Sequence, residues 1–260
     1  MSAIDRVKAA RASGRPTGLD FIQNIFCDFF ELHGDRRFGD DKAVVAGIAS
    51  LNGMSVTVVA LEKGHSLKEK VERNFGSAHP EGYRKALRQM KLAEKFSRPV
   101  VCFVDTAGAY CGVGAEERGQ GQAIAENLME LISLKTPIVS VLIGEGGSGG
   151  ALALAVADEV WMLQNAVYSV ISPEGCASIL WKDATKTAAA AESLKLTAED
   201  LYDLGAIERI VPEPEGDFSP LYEQLKESLS ETLYGLSSRD AQALVKQRYH
   251  RFRKFGVEQL

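Results

Sequence analysis

Residues 137–151 read Pro-Ile-Val-Ser-Val-Leu-Ile-Gly-Glu-Gly-Gly-Ser-Gly-Gly-Ala, an apolar run that passes directly into a segment made almost wholly of glycine. The run 137–143 predicts a buried strand, and the Ala- and Leu-rich residues 151–157 predict a helix. A strand-to-helix turn almost bare of side chains lets backbone N–H groups approach a ligand closely, at the positive end of the helix dipole. The stretch therefore predicts an α/β fold with an anion-binding site at the end of a strand.

The composition limits the classes of protein to consider. The chain has 260 residues, of which 45% are hydrophobic and 25% charged, so it can build one large domain or two small ones. Its net charge of −5 argues against general nucleic-acid binding. The four cysteines form no Cys-x-x-Cys pair, which predicts no zinc site and reduced thiols in the cytoplasm. No apolar run reaches the roughly 18 residues of a membrane-spanning helix, and no signal-peptide pattern begins the chain.

A second glycine-rich turn, residues 106–114, follows the strand predicted at 99–104. Each glycine turn therefore lies at the end of a strand, where ligands bind in open α/β sheets. Earlier in the chain, Asn52-Gly53 separates two apolar runs and predicts a tight hairpin. The order of elements is β-β-α, followed twice by strand, glycine turn and helix, which indicates α/β layering.

Local patterns predict further elements. Residues 1–16 are polar and basic and predict a flexible N-terminal arm. Thr17 or Asp20 is a suitable cap for a helix that we expect to extend through Leu32. Residues 186–203 predict one alanine-rich helix.

Two segments are rich in cations. Residues 62–88 are basic and fit either a surface that receives an anionic substrate or an ordinary solvated face. The tail 219–256 predicts charged helices. Its apolar residues at 249, 252 and 255 suit docking on a neighbouring element, while its interleaved cations leave nucleic-acid binding as an alternative.

The first glycine turn matches three motifs that each lack a required partner. Residues 144–149 form GxGxxG, but the next strand ends in Gln164-Asn165 instead of the acidic residue that a dinucleotide fold needs. A phosphate-binding P-loop needs a lysine, and the turn has none. Residues 146–150 form the GxSxG of a serine hydrolase with Ser148 as nucleophile, for which His250 is the one later histidine.

A turn that merely lets helix and strand pack closely is a further alternative. The sequence offers no convincing Ser/His/Asp set, metal cluster or acid–base pair of carboxylates. If the chain is an enzyme, we expect fixed backbone dipoles to do most of the catalysis.

Five longer motifs follow one another along the chain: Arg73–Gly76, His79–Arg88, Gly114–Gln120, Gly144–Ala151 and Tyr168–Gly175. Together they resemble the carboxyltransferase alpha-subunit family of bacterial acetyl-CoA carboxylase, over about residues 17–214. The resemblance implies a crotonase/ClpP-like α/β fold, a spiral of β-β-α units with flanking N- and C-terminal helices. It implies a flexible arm at 1–16, a crotonase-type carboxyltransferase domain at 17–214 and a C-terminal helical extension at 215–260.

The resemblance also implies an activity. The family transfers the carboxyl group of carboxybiotin, held on the biotin carboxyl carrier protein, to acetyl-CoA, forming malonyl-CoA for fatty acid biosynthesis. Biotin is then the cofactor and acetyl-CoA the substrate, with no metal in this chain. The biotin ureido anion would deprotonate the acetyl group, which would explain the missing protein base. A different biotin-dependent acyl-CoA carboxylase or decarboxylase, a serine hydrolase using Ser148 and a non-catalytic scaffold stay open as alternatives.

Partners follow from the same resemblance. It implies a zinc-bearing carboxyltransferase beta subunit in an alpha2beta2 heterotetramer, the biotin carboxyl carrier protein, and biotin carboxylase, with ATP binding at the level of the complex. The active site would lie between alpha and beta subunits, with this chain facing carboxybiotin. Neither a membrane nor a nucleic acid is an expected partner, and the cytoplasm is the expected location.

The site residues are carried over by position. The backbone amides proposed for an oxyanion hole belong to Gly146, Gly147, Gly149 and Gly150. The facing wall is expected from Gly108, Gly112 and Gly114. The carboxybiotin pocket is expected from Ala107, Tyr110, Glu145, Ser148 and Ala151. Ala107 and Cys111 stand where the family commonly has prolines, so this loop loses two fixed φ angles.

Overall fold

The computed structural model describes residues 1–256, which form an eight-stranded sheet flanked by helices. The strands are β1 (Cys27–Glu31), β2 (Val44–Leu51), β3 (Met54–Leu61), β4 (Val100–Thr106), β5 (Ile138–Gly147), β6 (Glu159–Leu163), β7 (Val167–Ser169) and β8 (Arg209–Val211). The helices are α1 (Ala3–Ala10), α2 (Gly18–Ile25), α3 (Leu67–Glu72), α4 (Pro80–Lys95), α5 (Val113–Glu117), α6 (Gln120–Ser133), α7 (Ser148–Ala155), α8 (Pro173–Leu180), α9 (Thr187–Ser193), α10 (Ala198–Asp203), α11 (Ser219–Ser237) and α12 (Ala241–Arg253). The extension expected at 215–260 includes residues 257–260, which lie outside the described residues.

The sheet is mixed. Its strands lie in the order β1-β2-β3-β4-β5-β6-β8, and β7 pairs with the end of β5. The first three strands are antiparallel, and every pairing from β3 onward is parallel. The turn between β2 and β3 has positive φ at both Asn52 (48°) and Gly53 (83°), as a type I′ turn requires. The predicted hairpin is therefore confirmed.

The central strands β4 and β5 form the middle of the core. All seven residues of β4 are buried, as expected for a parallel strand covered on both faces. The ring of Phe21 in α2 lies 5.3 Å from that of Phe103 in β4 and 5.2 Å from that of Tyr222 in α11. The strand ends that precede the glycine turns are thus fixed by core packing. Among residues 1–256, no helix has the length and apolar character needed to cross a membrane.

Strand β5 continues beyond the end that the apolar run predicted. Residues Glu145–Gly147 pair with β7, and Gly146 also pairs with Thr106 of β4. The first part of the glycine segment is therefore sheet, and the chain turns only at Gly147 and Ser148. Sequence periodicity could not show this, because the partner strand β7 lies some twenty residues further on.

Residues 1–16 contain a packed helix instead of the predicted flexible arm. In α1, Ala3, Val7 and Ala10 recur three or four residues apart and form one buried face. This face packs in a small apolar cluster that includes Leu196. The segment is mostly polar, so the spacing of these three apolar side chains did not stand out in the sequence. They are nevertheless enough to dock the two turns of α1.

Helix α2 begins after Thr17, as predicted, but it ends at Ile25, well before the expected end. The C-cap residue Phe26 is already extended, with φ −112° and ψ 156°, and the chain enters β1 at Cys27. Phe30 in β1 pairs with Ile48 in β2. Aromatic residues suit a pleated surface beside a strand edge, and this pairing outweighs the helical pattern.

The single helix predicted at 186–203 is broken into α9 and α10. Lys195 has φ 51°, and Thr197 caps α10 by accepting a hydrogen bond from the backbone N–H of Asp200 at 3.2 Å. Thr197 is therefore a helix start inside the alanine-rich segment. This capping residue is visible in the sequence, although the alanine content favours one continuous helix.

The C-terminal helix α12 docks largely through buried arginines, and of the three apolar residues predicted to dock it, Phe252 packs against the core whereas Tyr249 and Phe255 are exposed. Tyr249 is 51% exposed, whereas Arg248 is fully buried. The Arg248 guanidinium donates to both carboxylate oxygens of Asp158, at 2.9 and 2.7 Å, and to the carbonyl oxygens of Leu131, Leu134 and Thr136. This guanidinium is therefore committed to the protein interior and is not available to a nucleic acid.

We expect Arg248→Met to lower the free energy of unfolding by about 3–5 kcal/mol at neutral pH, because it leaves Asp158 buried without its cation. Burial raises the pKa of Asp158 even with Arg248 present. A carboxyl group whose pKa is raised in the folded state makes the protein less stable as pH rises. The loss of stability caused by Arg248→Met should therefore shrink as pH falls toward the pKa of Asp158. Urea unfolding at several pH values measures this. Arg253→Met, on the exposed side of the same helix, is the control, and an equal loss there would contradict the assignment.

Candidate active site

The two glycine turns contact each other through their backbones. A Cβ on Gly147 would collide with the carbonyl oxygen of Ala107. A Cβ on Gly150 would lie 2.6 Å from the backbone nitrogen of Ala109 and 2.9 Å from the carbonyl carbon of Gly108. Side chains are therefore excluded from both positions, and the turns form two adjoining walls.

The facing wall is formed by residues 107–109, and the contacts of the other two expected glycines lie elsewhere. A Cβ on Gly112 would meet the ring of Tyr110, and one on Gly114 would lie 3.2 Å from the Arg118 guanidinium. Gly112 precedes the first residue of the short helix α5. Of the three glycines expected in this wall, the structure places Gly108 against the opposite turn.

Helix α7 begins at the centre of this arrangement with its N-terminus uncapped. Gly147 is the N-cap residue, and no side chain in the described part of the chain caps it. The first N–H groups of a helix have no partner within the helix, and they lie at the positive end of its dipole. A Cβ on Gly149 would find only Ile124, at 3.5 Å, so the surface there is open. Gly146, in contrast, belongs to the sheet.

A partly buried lysine links the strand ends beneath both turns. Lys63 Nζ lies 2.6 Å from Asp105 Oδ1 at the end of β4 and 3.1 Å from Glu145 Oε2 in β5. Asp105 Oδ1 also accepts the backbone N–H of Glu145 at 2.8 Å. Burial opposes the charge on Lys63, but the two carboxylates raise its pKa. A Cβ on Gly144 would collide with Asp105, so glycine is needed there for this bridge to form.

The same network extends to the N-terminal helix. Arg11 Nε donates to Glu145 Oε1 at 2.7 Å, and its terminal nitrogen donates to Glu174 Oε1 in α8, also at 2.7 Å. Although burial opposes it, the charges of Lys63 and Arg11 lower the pKa of Glu145. Glu145 is thus a structural carboxylate held by two cations, and Lys63 belongs to this network instead of to a solvated basic face.

The residues expected in a carboxybiotin pocket divide into two groups. Ala107 and Ser148 are exposed, and Tyr110 is 38% exposed, so all three line the open surface. Ala151 is fully buried, so its side chain lies in the core and not in a pocket. A small cavity of about 40 Å³ lies beside the turn, between Ala107, Gly147, Ser169 and Pro173.

The rim of the site carries an ordered aromatic pair. The rings of Tyr110 and His79 lie 4.1 Å apart. His79 is held by its backbone N–H, which donates to Asp41 Oδ2 at 2.6 Å, and Arg118 lies 3.3 Å from its Nδ1. Arg118 is in turn paired with Glu81 at 2.9 Å. This chain of contacts fixes the ring of Tyr110. The sequence analysis predicted Tyr110 in the pocket but did not predict the residues that hold it.

Ser148 has the backbone of a nucleophile elbow but not its chemistry. Its φ of 52° at a strand-to-helix turn matches the strained geometry of that motif. Within residues 1–256, however, no histidine hydrogen-bonds to Ser148, and His79 is engaged by Arg118. The described residues also contain no His, Cys, Asp and Glu cluster suited to a metal. The arrangement can therefore stabilise negative charge with backbone N–H groups, without a serine–histidine pair.

Tyr83 is a neighbour of the site that the sequence analysis missed. It is fully buried in α4, and its hydroxyl has no hydrogen-bond partner among the described residues. A Cβ on Gly150 would lie 2.7 Å from this hydroxyl. Tyr83 lies within the His79–Arg88 motif, which was a usable signal, but only the fold shows that it supports the glycine turn.

The fold and the site define a class of protein. The chain is similar to transcarboxylase 12S, with a TM-score of 0.68 and 20% identity over 86% of this chain and 44% of that chain. It is also similar to a Pseudomonas malonate decarboxylase heterotetramer chain, with a TM-score of 0.67 and 17% identity over 84% and 89% of the two chains. These likenesses establish the crotonase-type fold of carboxyltransferases.

Sequence comparison identifies the family. The model for "acetyl co-enzyme A carboxylase carboxyltransferase-like" proteins matches residues 1–256. The acetyl-coenzyme A carboxylase carboxyl transferase subunit alpha of Ruminiclostridium cellulolyticum is 65% identical over 257 residues, which cover 99% of each chain. The chain therefore belongs to the acetyl-CoA carboxylase carboxyltransferase alpha-subunit family, and the resemblance seen in the sequence motifs is confirmed.

We expect Gly150→Ala to destabilise the protein by about 1–3 kcal/mol, because the new methyl group overlaps the Ala109 backbone and the Tyr83 hydroxyl. Gly149→Ala is the matched control one residue away. Its methyl group meets only Ile124 at 3.5 Å, and alanine favours the helix by roughly 0.5–1 kcal/mol. Thermal unfolding of both variants measures the difference. Equal stability of the two would contradict the close approach of the turns.

Proposed function

We propose that this chain is the alpha-type half of a carboxyltransferase that moves the carboxyl group of carboxybiotin to acetyl-CoA, forming malonyl-CoA. The observation that carries the proposal is the uncapped N-terminus of α7 at the junction of two glycine turns. Membership of the carboxyltransferase alpha-subunit family supports it. Carboxybiotin, when bound, would supply the carboxyl group, and the chain itself would supply oriented N–H donors.

The residues fit a flat cyclic urea better than a bulky ligand. Side chains are excluded at Gly147 and Gly150, and the small residues Ala107 and Ser148 stand at the exposed surface together with the flat ring of Tyr110. The N–H groups of Gly149 and Gly150 would stabilise negative charge on an oxygen, each contributing about 2.7–4 kcal/mol in comparable sites. Gly146 contributes less in this proposal because its backbone lies within the sheet.

We assign the support of these donors to Lys63. It holds Asp105 and Glu145, which precede the two walls, at 2.6 and 3.1 Å. A shift of either strand end would move one wall relative to the other. Lys63 is therefore a positioning residue, since its contacts are with carboxylates of the protein and not with the open surface.

The partner proposal rests on the open side of the site. Val113 is 75% exposed and Tyr110 38% exposed beside the glycine turns, so apolar surface adjoins the donors. The described residues place no general base beside these donors. We propose that a zinc-bearing beta subunit covers this side in an alpha2beta2 assembly and holds acetyl-CoA, and that a biotin carboxyl carrier protein, loaded by biotin carboxylase, delivers carboxybiotin.

Malonyl-CoA-dependent carboxylation of biocytin tests the function, with and without a beta partner. We expect turnover only with both chains, and full turnover by this chain alone would overturn the partner proposal. Glycine suits the positive φ of residue 148, so we expect the Ser148→Gly variant to keep turnover within a few-fold of the parent. If Ser148 were the nucleophile, the same substitution would abolish turnover.

The same assay tests the donors. Replacing the amide N–H of residue 149 or 150 by an ester oxygen, through α-hydroxy acid incorporation, should lower kcat by about 10²–10³-fold. The same replacement at Leu152, deeper in α7, is the control because its N–H lies beyond the first helical turn. Unchanged kcat in all three proteins would contradict a backbone oxyanion site.

Lys63→Met should lower kcat by about 10²-fold with a smaller effect on KM, because misplacement of the two walls by about 1 Å is expected to cost that much. Steady-state kinetics of the assembled enzyme separate the two constants. Lys42→Met, which breaks an exposed ion pair with Glu72, is the control and should leave both unchanged. A purely structural role would lower stability without changing kcat in the folded fraction.

A further inference from the structure

A second cavity lies on the outer side of α4, away from the glycine turns. It has a volume of about 480 Å³, within the range of small-molecule sites. None of its lining residues belongs to either glycine turn. Six cations line it, namely Arg36, Arg37, Arg84, Arg88, Lys91 and Lys95, together with the two carboxylates Asp35 and Glu126.

The carboxylates near this cavity neutralise only half of its cations. Asp35 pairs with Arg84 at 2.7 Å, Glu126 with Arg37 at 3.3 Å, and Glu130 with Lys91 at 2.8 Å. Arg36, Arg88 and Lys95 form no ion pair within the described residues 1–256. Three cations without an ion-pair partner among the described residues thus line one cavity, in a chain whose net charge is −5.

The loop before β2 is built to hold Arg36 at this place. The Asp35 side chain is fully buried, and its Oδ1 accepts the backbone N–H groups of residues 37, 38 and 39 at 2.7–3.0 Å. Arg36 itself has φ 65°, a left-handed conformation that costs a residue with a side chain roughly 1–2 kcal/mol. A strained residue fixed by buried hydrogen bonds is a reason to look for function.

Arg36 and Arg88 are held close together despite their like charges. The carbonyl oxygen of His33 accepts a hydrogen bond from each guanidinium, at 3.0 Å in both cases. Arg88 Nε also donates to the carbonyl oxygen of Gly34 at 3.0 Å. Burial and the neighbouring Arg36 lower the pKa of Arg88, and they outweigh the opposite effect of the Asp35 and Asp40 carboxylates. Backbone oxygens thus orient both groups without neutralising either one.

We propose that this cavity, lined by Arg36, Arg88 and Lys95, binds a small molecule through a diphosphate group. Guanidinium groups match the oxygens of phosphate in a forked geometry, and two of them side by side suit two linked phosphates. The ammonium of Lys95 adds a third charge on the same wall. A diphosphate would supply the negative charge that the surrounding carboxylates do not provide.

Calorimetric titration of the full chain with inorganic pyrophosphate, at low ionic strength, tests the proposal. Arg36→Gly removes one guanidinium and suits the left-handed backbone, so the variant should fold at least as stably as the parent. We expect it to bind pyrophosphate at least tenfold more weakly. Lys8→Met is the charge-matched control, because the Lys8 side chain is 72% exposed on α1 and does not line the cavity. It should bind pyrophosphate like the parent.

Three further titrations identify what the cavity recognises. ADP and coenzyme A each carry a diphosphate group. If one of them binds more tightly than pyrophosphate, and Arg36→Gly loses that gain, then that molecule is the source of the diphosphate. Citrate carries comparable negative charge on carboxylates. Equal affinity for citrate and pyrophosphate would reduce the cavity to a general basic surface and overturn the proposal. Failure of pyrophosphate to bind, or unchanged binding in Arg36→Gly, would overturn it as well.

Discussion

The contact of Lys63 with Asp105 and Glu145 is the interaction on which the site depends. Two neighbouring parallel strands each carry a carboxylate near their end, and one ammonium group holds both at 2.6 and 3.1 Å. Without that cation, two like charges would face each other in a poorly solvated place, and the strand ends would be driven apart. The glycine turns can meet at their backbones because the strands beneath them cannot separate.

The glycines and the ion pairs therefore both determine how closely the two turns approach each other. Glycine at positions 147 and 150 removes the Cβ atoms that would keep the turns apart, and Gly144 makes room for the Asp105 carboxylate. Arg11 then attaches α1 to Glu145. A site made of backbone N–H groups has no side chain to adjust its position, so its precision depends on this rigid support.

Much of this was predictable from local sequence, and several of the failures share one cause, which is a partner distant in sequence. The hairpin at Asn52-Gly53 and the paired glycine turns follow from residue chemistry within a few positions. The extension of β5 depends on β7, and the burial of Arg248 depends on Asp158 some ninety residues away. Arg11 and Lys63 likewise looked like surface cations, because the carboxylates that take them inside are distant in sequence.

The buried pair of Arg248 and Asp158 also constrains the order in which the chain can become native. Arg248 lies 90 residues after Asp158 in the chain. Proteins are made from the N-terminus, so Asp158 and the carbonyl oxygens of Leu131, Leu134 and Thr136 are made well before the cation that they bind. The central sheet can form early on the ribosome, but the Asp158 carboxylate gains its cation only after α12 has been made and has docked.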